Sequence, residues 1–288
     1  MNRIALSALV SLAGCVSLTT QAAVAPEPPR LTEPADEADR ALEFMLPEPQ
    51  DESLGAKQRL WATWYYMPTV RAASLAAFAV PLKGRKGEDI SAPLTKTDWC
   101  NAALQGSVWV ERPDGDATAY VFVDARGPQQ TDCGGHLGNL STGIKNATGR
   151  ARFATFKHPA GCDVRRYPLQ PYRTIAVDPH RFRMGTVLYS PDLRGQVFRY
   201  RGEVYVHDGY LIASDRGGAI KGNHIDVFVE DPAGVDPLPN IIQSNPGGAF
   251  DAYPVKSSDP AAAALKDGQK RTCDEPLPRW RPPPSETI

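Results

Sequence analysis

Three aspartates stand where a carboxyl group can do acid–base work: Asp178, Asp215 and Asp226. Asp178 follows the apolar run Ile175-Ala176-Val177, Asp215 follows Leu211-Ile212-Ala213-Ser214, and Asp226 interrupts Ile225 to Val229. A carboxyl at the end of an apolar strand, or inside one, is half enclosed. Enclosure raises its pKa, while hydrogen bonds to the anion lower it. Asp215 opens the turn Asp215-Arg216-Gly217-Gly218, whose glycines allow positive φ and close backbone approach by a ligand. The 11-residue step from Asp215 to Asp226 covers one turn and a short bend, so the two side chains can face each other across neighbouring strands. Paired carboxylates suit glycosidic chemistry, in which one acid protonates the leaving oxygen while its neighbour tunes it. The same aspartates also suit simple turn capping, a common use of the residue. Residue type and spacing leave both readings open.

Other chemistries find no support. There is no Gly-x-Ser-x-Gly elbow, no phosphate-binding glycine loop and no Rossmann fingerprint. The five histidines (136, 158, 180, 207, 224) form no HExxH pattern, and Cys100, Cys133, Cys162 and Cys273 contain no CxxC pair, so no metal is expected. No cofactor is expected either. A net charge of −1, from 32 Lys plus Arg against 33 Asp plus Glu, excludes the cationic surplus that nucleic acid requires. The sequence does not indicate an oligomeric state.

The elements that must position these acids are short strands. The 288 residues are 42% hydrophobic, ordinary for a soluble globular protein. Strands are expected over residues 60–66, 107–111, 118–124, 152–156, 174–177, 186–190, 197–200, 203–206, 210–214 and 225–229, with an Asp114-Gly115 hairpin turn. Helical signals are weak, with residues 36–45 and 261–266 as short candidates. This pattern predicts a mainly β, closed barrel rather than a parallel α/β sheet.

The start of the chain reads as an export signal: Met1-Asn2-Arg3, an apolar run from Ile4 to Ala13, then Leu12-Ala13-Gly14-Cys15. Small residues before a cysteine resemble a bacterial lipobox. Residues 1–14 would then be removed and Cys15 lipidated. With Val16 next, the expected place is the outer membrane, facing the periplasm, with membrane contact through the lipid alone. Cleavage farther on, near Thr20 to Ala25, would instead leave a soluble periplasmic or secreted protein. Residues 15–55 are rich in Pro and acidic residues and read as a tether, and residues 259–288 as a C-terminal tail. The remaining 56–258 form the expected barrel. With Cys15 set aside, Cys100, Cys133, Cys162 and Cys273 suggest two disulfides, with three connectivities open.

The motif-bearing residues resemble a known family. Ala176-Val177-Asp178-Pro179, Met184-Gly185-Thr186, Ser214-Asp215-Arg216-Gly217-Gly218-Ala219-Ile220-Lys221-Gly222 and Ile225-Asp226-Val227-Phe228 resemble the three-aspartate or "3D" domain over residues 172–229. That domain occurs in membrane-bound lytic murein transglycosylase A and in stationary-phase-survival-type cell-wall enzymes. Thr63-Trp64-Tyr65-Tyr66-Met67-Pro68 is similar to the Thr-Gly-Tyr-Tyr-x-Pro opening of the transglycosylase barrel, with Trp64 in the glycine's place. Residues around 90–165 match no part of it and read as an insertion.

The resemblance implies a double-psi β-barrel that cleaves the MurNAc–GlcNAc β-1,4 bond of peptidoglycan glycan strands and leaves a 1,6-anhydro end. It implies Asp226 as the general acid and then base, Asp215 as a hydrogen-bonded partner raising its pKa, and Asp178 as the residue that fixes Asp215. Gly217, Gly218, Lys221 and Thr63 would contact sugar, and Tyr65 and Tyr66 would stack on it. Arg216 stands where the family carries a small or β-branched residue, either pointing outward or pairing with Asp215. A barrel that binds the polysaccharide without cutting it, and a hydrolytic muramidase, are the alternatives.

Overall fold

A computed structural model describes residues 44–73, 79–156, 161–163, 165, 167–200, 203–229, 238 and 240–268. The signal segment, Cys15, residues 36–43 of the first helix candidate, Cys273 and residues 269–288 lie outside the described residues. The strands are β1 (Gln58–Tyr65), β2 (Thr69–Arg71), β3 (Ser107–Glu111), β4 (Ala117–Asp124), β5 (Arg152–Phe156), β6 (Thr174–Ala176), β7 (Thr186–Tyr189), β8 (Val197–Tyr200), β9 (Glu203–Val206), β10 (Tyr210–Asp215), β11 (His224–Phe228) and β12 (Phe250–Val255). Three helices accompany them: α1 (Lys96–Gln105), α2 (Thr142–Thr148) and α3 (Pro260–Gly268).

Six strands close a barrel in the order β1-β11-β6-β10-β7-β12. β1 runs parallel to β11, and β10 parallel to β6, while the other neighbours are antiparallel. Exchanging β1 with β10, β6 with β11 and β7 with β12 maps this order onto itself. β10 lies between β6 and β7, and β1 lies between β11 and β12. These two interleaved triplets make the barrel double-psi. Alternation along each strand separates two surfaces. Leu60, Ala62, Ile175, Leu188, Leu211, Ala213, Ile225 and Val227 share the cluster that also holds Phe250 and Ala252. The opposite positions form the outer wall.

The second sheet, β2-β3-β4-β5, spans Thr69 to Phe156 and starts well before residue 90. Both of its faces are buried. Val108, Val110, Tyr120 and Phe153 pack with Trp99 of α1 on one face. Trp109, Ala119, Val121 and Phe156 pack with Tyr65, Ala176 and Phe228 of the barrel wall on the other. Cys100 and Cys133 form a disulfide that ties α1 to the loop before α2. Cys162 is also disulfide-bonded.

Most strands fall within a residue or two of their expected bounds, and β3 and β4 pair as the expected hairpin. The differences have local causes. α1 was not expected from the sequence. Its start is set by Thr95, which accepts a bond from Asp98 N, and its end by Gly106 at φ 85°, a left-handed cap suited to glycine. β12 was not expected either, because Pro254 interrupts its apolar run. Within the stretch read as a tail, α3 packs Ala261, Ala262 and Leu265 on the outer wall beside Val187 and Tyr210. Within the stretch read as a tether, Leu46 N donates to Asp208 Oδ2 at 3.0 Å, and Asp208 is paired with the buried Arg173 at 2.7 Å.

Candidate active site

The outer wall of the barrel carries the acids. On β11, Ile225 and Val227 point into the core, so His224, Asp226 and Phe228 point outward. On β1, Leu60 and Ala62 point inward, so Trp61, Thr63 and Tyr65 share that outer side. The parallel register sets Trp61 beside His224, Thr63 beside Asp226 and Tyr65 beside Phe228.

Asp215 arrives by a different route. Strict alternation from Leu211 and Ala213 would aim it into the core. A β-bulge between Ala213 and Asp215 shifts the register, so that Asp215 pairs with Ala176, the residue that Asp226 also pairs with from the other side. The extra residue re-aims the side chain, a common use of bulges near active sites. Asp215 Oδ2 then accepts the Tyr65 hydroxyl at 3.0 Å, and its Oδ1 accepts the Arg216 backbone N–H at 2.8 Å.

Asp226 is half-buried, and its Oδ1 accepts the Thr63 hydroxyl at 2.7 Å. Burial pushes its pKa up to about 6, and the Thr63 bond acts against this. Loss of water, rather than the charge of Asp215, is thus the leading cause of the shift. Asp178 is held the other way: its carboxylate accepts Gly222 N at 2.9 Å and His180 N at 3.0 Å, and these bonds hold its pKa below the usual range. Asp178 therefore pins the loop between Asp215 and Asp226 to the end of β6. The backbone N–H of its neighbour Val177 donates to the Asp215 carbonyl at 3.0 Å.

The remaining expected contacts are placed as follows. Gly217 abuts Ile220, where an added Cβ would lie 2.7 Å from Cγ1, so this turn needs a glycine for space. Gly218 and Lys221 are exposed at the rim. Tyr66 is half-buried, its hydroxyl accepting Asn101 Nδ2 and its N–H donating to Gln105 Oε1, both at 3.1 Å. Tyr65 corrects an expectation: at 7% exposure its ring is enclosed by the second sheet and cannot offer a face to a sugar. Burial and the charge of Asp215 push its phenol well above its ordinary value, so it is a neutral donor. The Arg216 side chain is exposed, and its backbone N–H is the group that bonds Asp215 Oδ1.

Two further polar groups near these residues escaped sequence reasoning. His224 Nε2 lies 2.8 Å from Thr63 Oγ1, and its ring stacks on Trp61 at 3.7 Å and 4°. Asp163, 1% exposed, accepts Arg165 N and Tyr167 N, and burial pushes its pKa up. Only the alternation of β11 pointed to His224, two positions before Asp226 on the same side.

Residues 173–235 match the family described as the 3D domain. This segment is a 3D domain. The barrel wall built above, from β6 to β11, is its body, and β1 and β12 complete the closure from outside the matched residues. No curated protein matches the chain. Among solved structures, it is similar to the membrane-bound lytic murein transglycosylase from Agrobacterium tumefaciens, with 15% identity over 74% of this chain and 78% of that one, at a TM-score of 0.45. It is similar to E. coli MltA with bound chitohexaose, with 16% identity over 69% and 72% and a TM-score of 0.43. MltA from Neisseria gonorrhoeae gives 14%, 70%, 74% and 0.43. Likeness at this level carries no argument about chemistry, which rests on the 3D domain's own geometry. That geometry sets Asp226, whose pKa burial raises, beside Asp178 and Asp215, each of which accepts two hydrogen bonds. Among the described residues no group of three or more His, Cys, Asp or Glu side chains is placed to hold a metal ion.

Proposed function

We propose that the protein is a peptidoglycan lytic transglycosylase with Asp226 as its general acid and base. The observation that carries this reading is the divergence of the aspartates. Asp178 is held as an anion by two backbone N–H groups, whereas Asp226, half-buried on the outer wall, has its pKa pushed up to about 6. A carboxyl near that value can give a proton and then take one back, as general acid–base catalysis requires.

The steps balance without water. Asp226 protonates the glycosidic oxygen as the bond from the MurNAc C1 to that oxygen breaks. The Asp226 carboxylate then removes the proton from the muramyl C6 hydroxyl, whose oxygen closes onto C1. The products are a free GlcNAc C4 hydroxyl and a 1,6-anhydro-MurNAc end, and Asp226 is protonated again. Tyr65 and the Arg216 amide keep Asp215 occupied as an acceptor beside it. Lys221 and the Gly217-Gly218 backbone border the outer wall and supply sugar contacts. No cofactor is required. Lipidation at Cys15 would hold the enzyme on the outer membrane facing the periplasm. No helix of the described residues is long and apolar enough to cross a membrane.

Digestion of purified peptidoglycan followed by mass spectrometry tests this. The expected result is 1,6-anhydro-muropeptides, with activity falling as pH rises above about 6 because Asp226 loses its proton. New reducing ends in place of anhydro ends would identify a hydrolytic muramidase. Sedimentation with peptidoglycan and no release of product would identify a binding barrel.

A further inference from the structure

We propose that His224 is a positioning residue that decides which oxygen of Asp226 carries the transferable proton. This rests on Asp226 being the acid proposed above. Thr63 Oγ1 lies between two partners, 2.8 Å from His224 Nε2 and 2.7 Å from Asp226 Oδ1. A hydroxyl has one hydrogen to give and two lone pairs to accept with. Here the hydrogen goes to Asp226 Oδ1. The contact with Nε2 must then be completed by a hydrogen on that nitrogen, so the neutral imidazole is held as its Nε2–H tautomer.

The consequence falls on Asp226. With a donor fixed on one side, the Thr63 hydroxyl cannot rotate away from the carboxyl. Oδ1 is the permanent acceptor, and the proton of the neutral acid resides on Oδ2. Without His224 the hydroxyl is free to turn, and the proton is shared between two differently directed oxygens. The stack with Trp61 holds the imidazole plane, at 3.7 Å and 4°. Cross-strand register makes this possible: Trp61 pairs with His224 two residues before Thr63 pairs with Asp226. Burial disfavours the imidazolium, which keeps a second charge away from the acid. Of the other ionisable groups on this wall, Tyr65 and Asp215 bond to each other, and Lys221 is exposed at the rim.

The test uses two variants of the full chain. His224→Phe keeps a ring for Trp61 and removes the donor, while His224→Gln restores an N–H near the same place. In the wild type, 15N spectra of His224 should show the Nε2–H tautomer. In His224→Phe, a 13C titration of the Asp226 carboxyl should move up, because the Thr63 bond that lowers it is loosened. For production of anhydro ends, kcat should fall about five- to tenfold, the rate equivalent of one hydrogen bond, with KM unchanged. The alkaline limb of the pH profile should move up with the titration, and His224→Gln should recover both. An Nδ1–H tautomer, or an unmoved Asp226 titration in folded His224→Phe, overturns the proposal. If His224→Phe does not fold, the wild-type tautomer decides. A correct tautomer and titration with no anhydro product from the wild type would support the His224 arrangement and overturn the transglycosylase reading instead.

Discussion

The inserted sheet is made from one continuous stretch, Thr69 to Phe156, whereas the barrel joins distant ends of the described chain, with β1 at Gln58–Tyr65 paired to β12 at Phe250–Val255. The sheet buries both of its faces in apolar contacts. The barrel buries only its inside completely, and its outer wall mixes Phe228 and Tyr65 with Asp215 and Asp226. The two regions therefore divide one task. The closed barrel holds the acids in register, and the sheet packs against Tyr65 and Phe228, which share the outer wall with Asp226.

The largest effect should come from Asp226→Asn. Loss of the proposed general acid should reduce anhydro-muropeptide release by about a thousandfold, read by mass spectrometry. The same change should stabilise the fold at pH 7 by about 1–3 kcal/mol, measured by chemical denaturation. The sign follows from a folded pKa raised above the unfolded one. For a carboxyl this favours the folded state most when it is protonated, and the penalty grows as pH rises from about 4 to about 6. The gain should shrink when the measurement is repeated at pH 4.

Next come two tryptophans on opposite faces of the sheet. Trp109→Ala and Trp99→Ala should each cost about 3–5 kcal/mol of stability. Only Trp109, whose cluster reaches the barrel wall, should also bring the Asp226 pKa down toward the ordinary carboxylate range. Equal titration curves for the two variants would break the division of labour described above. Replacing both Cys100 and Cys133 by Ser should cost about 3 kcal/mol through loss of a loop constraint. It should leave the Asp226 titration in place while the sheet stays folded. The smallest effect is expected for Arg216→Thr, whose side chain is exposed to solvent. Its rate should stay within about twofold of wild type, as befits a solvated charge.

What the sequence determined by itself was local. Alternating apolar residues and turn signals marked most strands, the Asp114-Gly115 hairpin and a mainly β barrel, because side-chain period and turn chemistry are properties of a few consecutive residues. The placement of Asp178, Asp215 and Asp226 beside apolar strands was legible for the same reason. The tertiary structure alone decided which surfaces meet. Asp215 reaches the outer wall through a bulge whose register is set by β6. Thr63 meets His224 across 161 residues, and Tyr65 meets Asp215 across 150. Tyr65 became a buried donor rather than a sugar platform because a separate sheet covers it. The pKa of Asp226 belongs to this second group: it depends on how much water is excluded around one carboxyl, and on the Thr63 hydroxyl that reaches it from a strand 163 residues away in the chain.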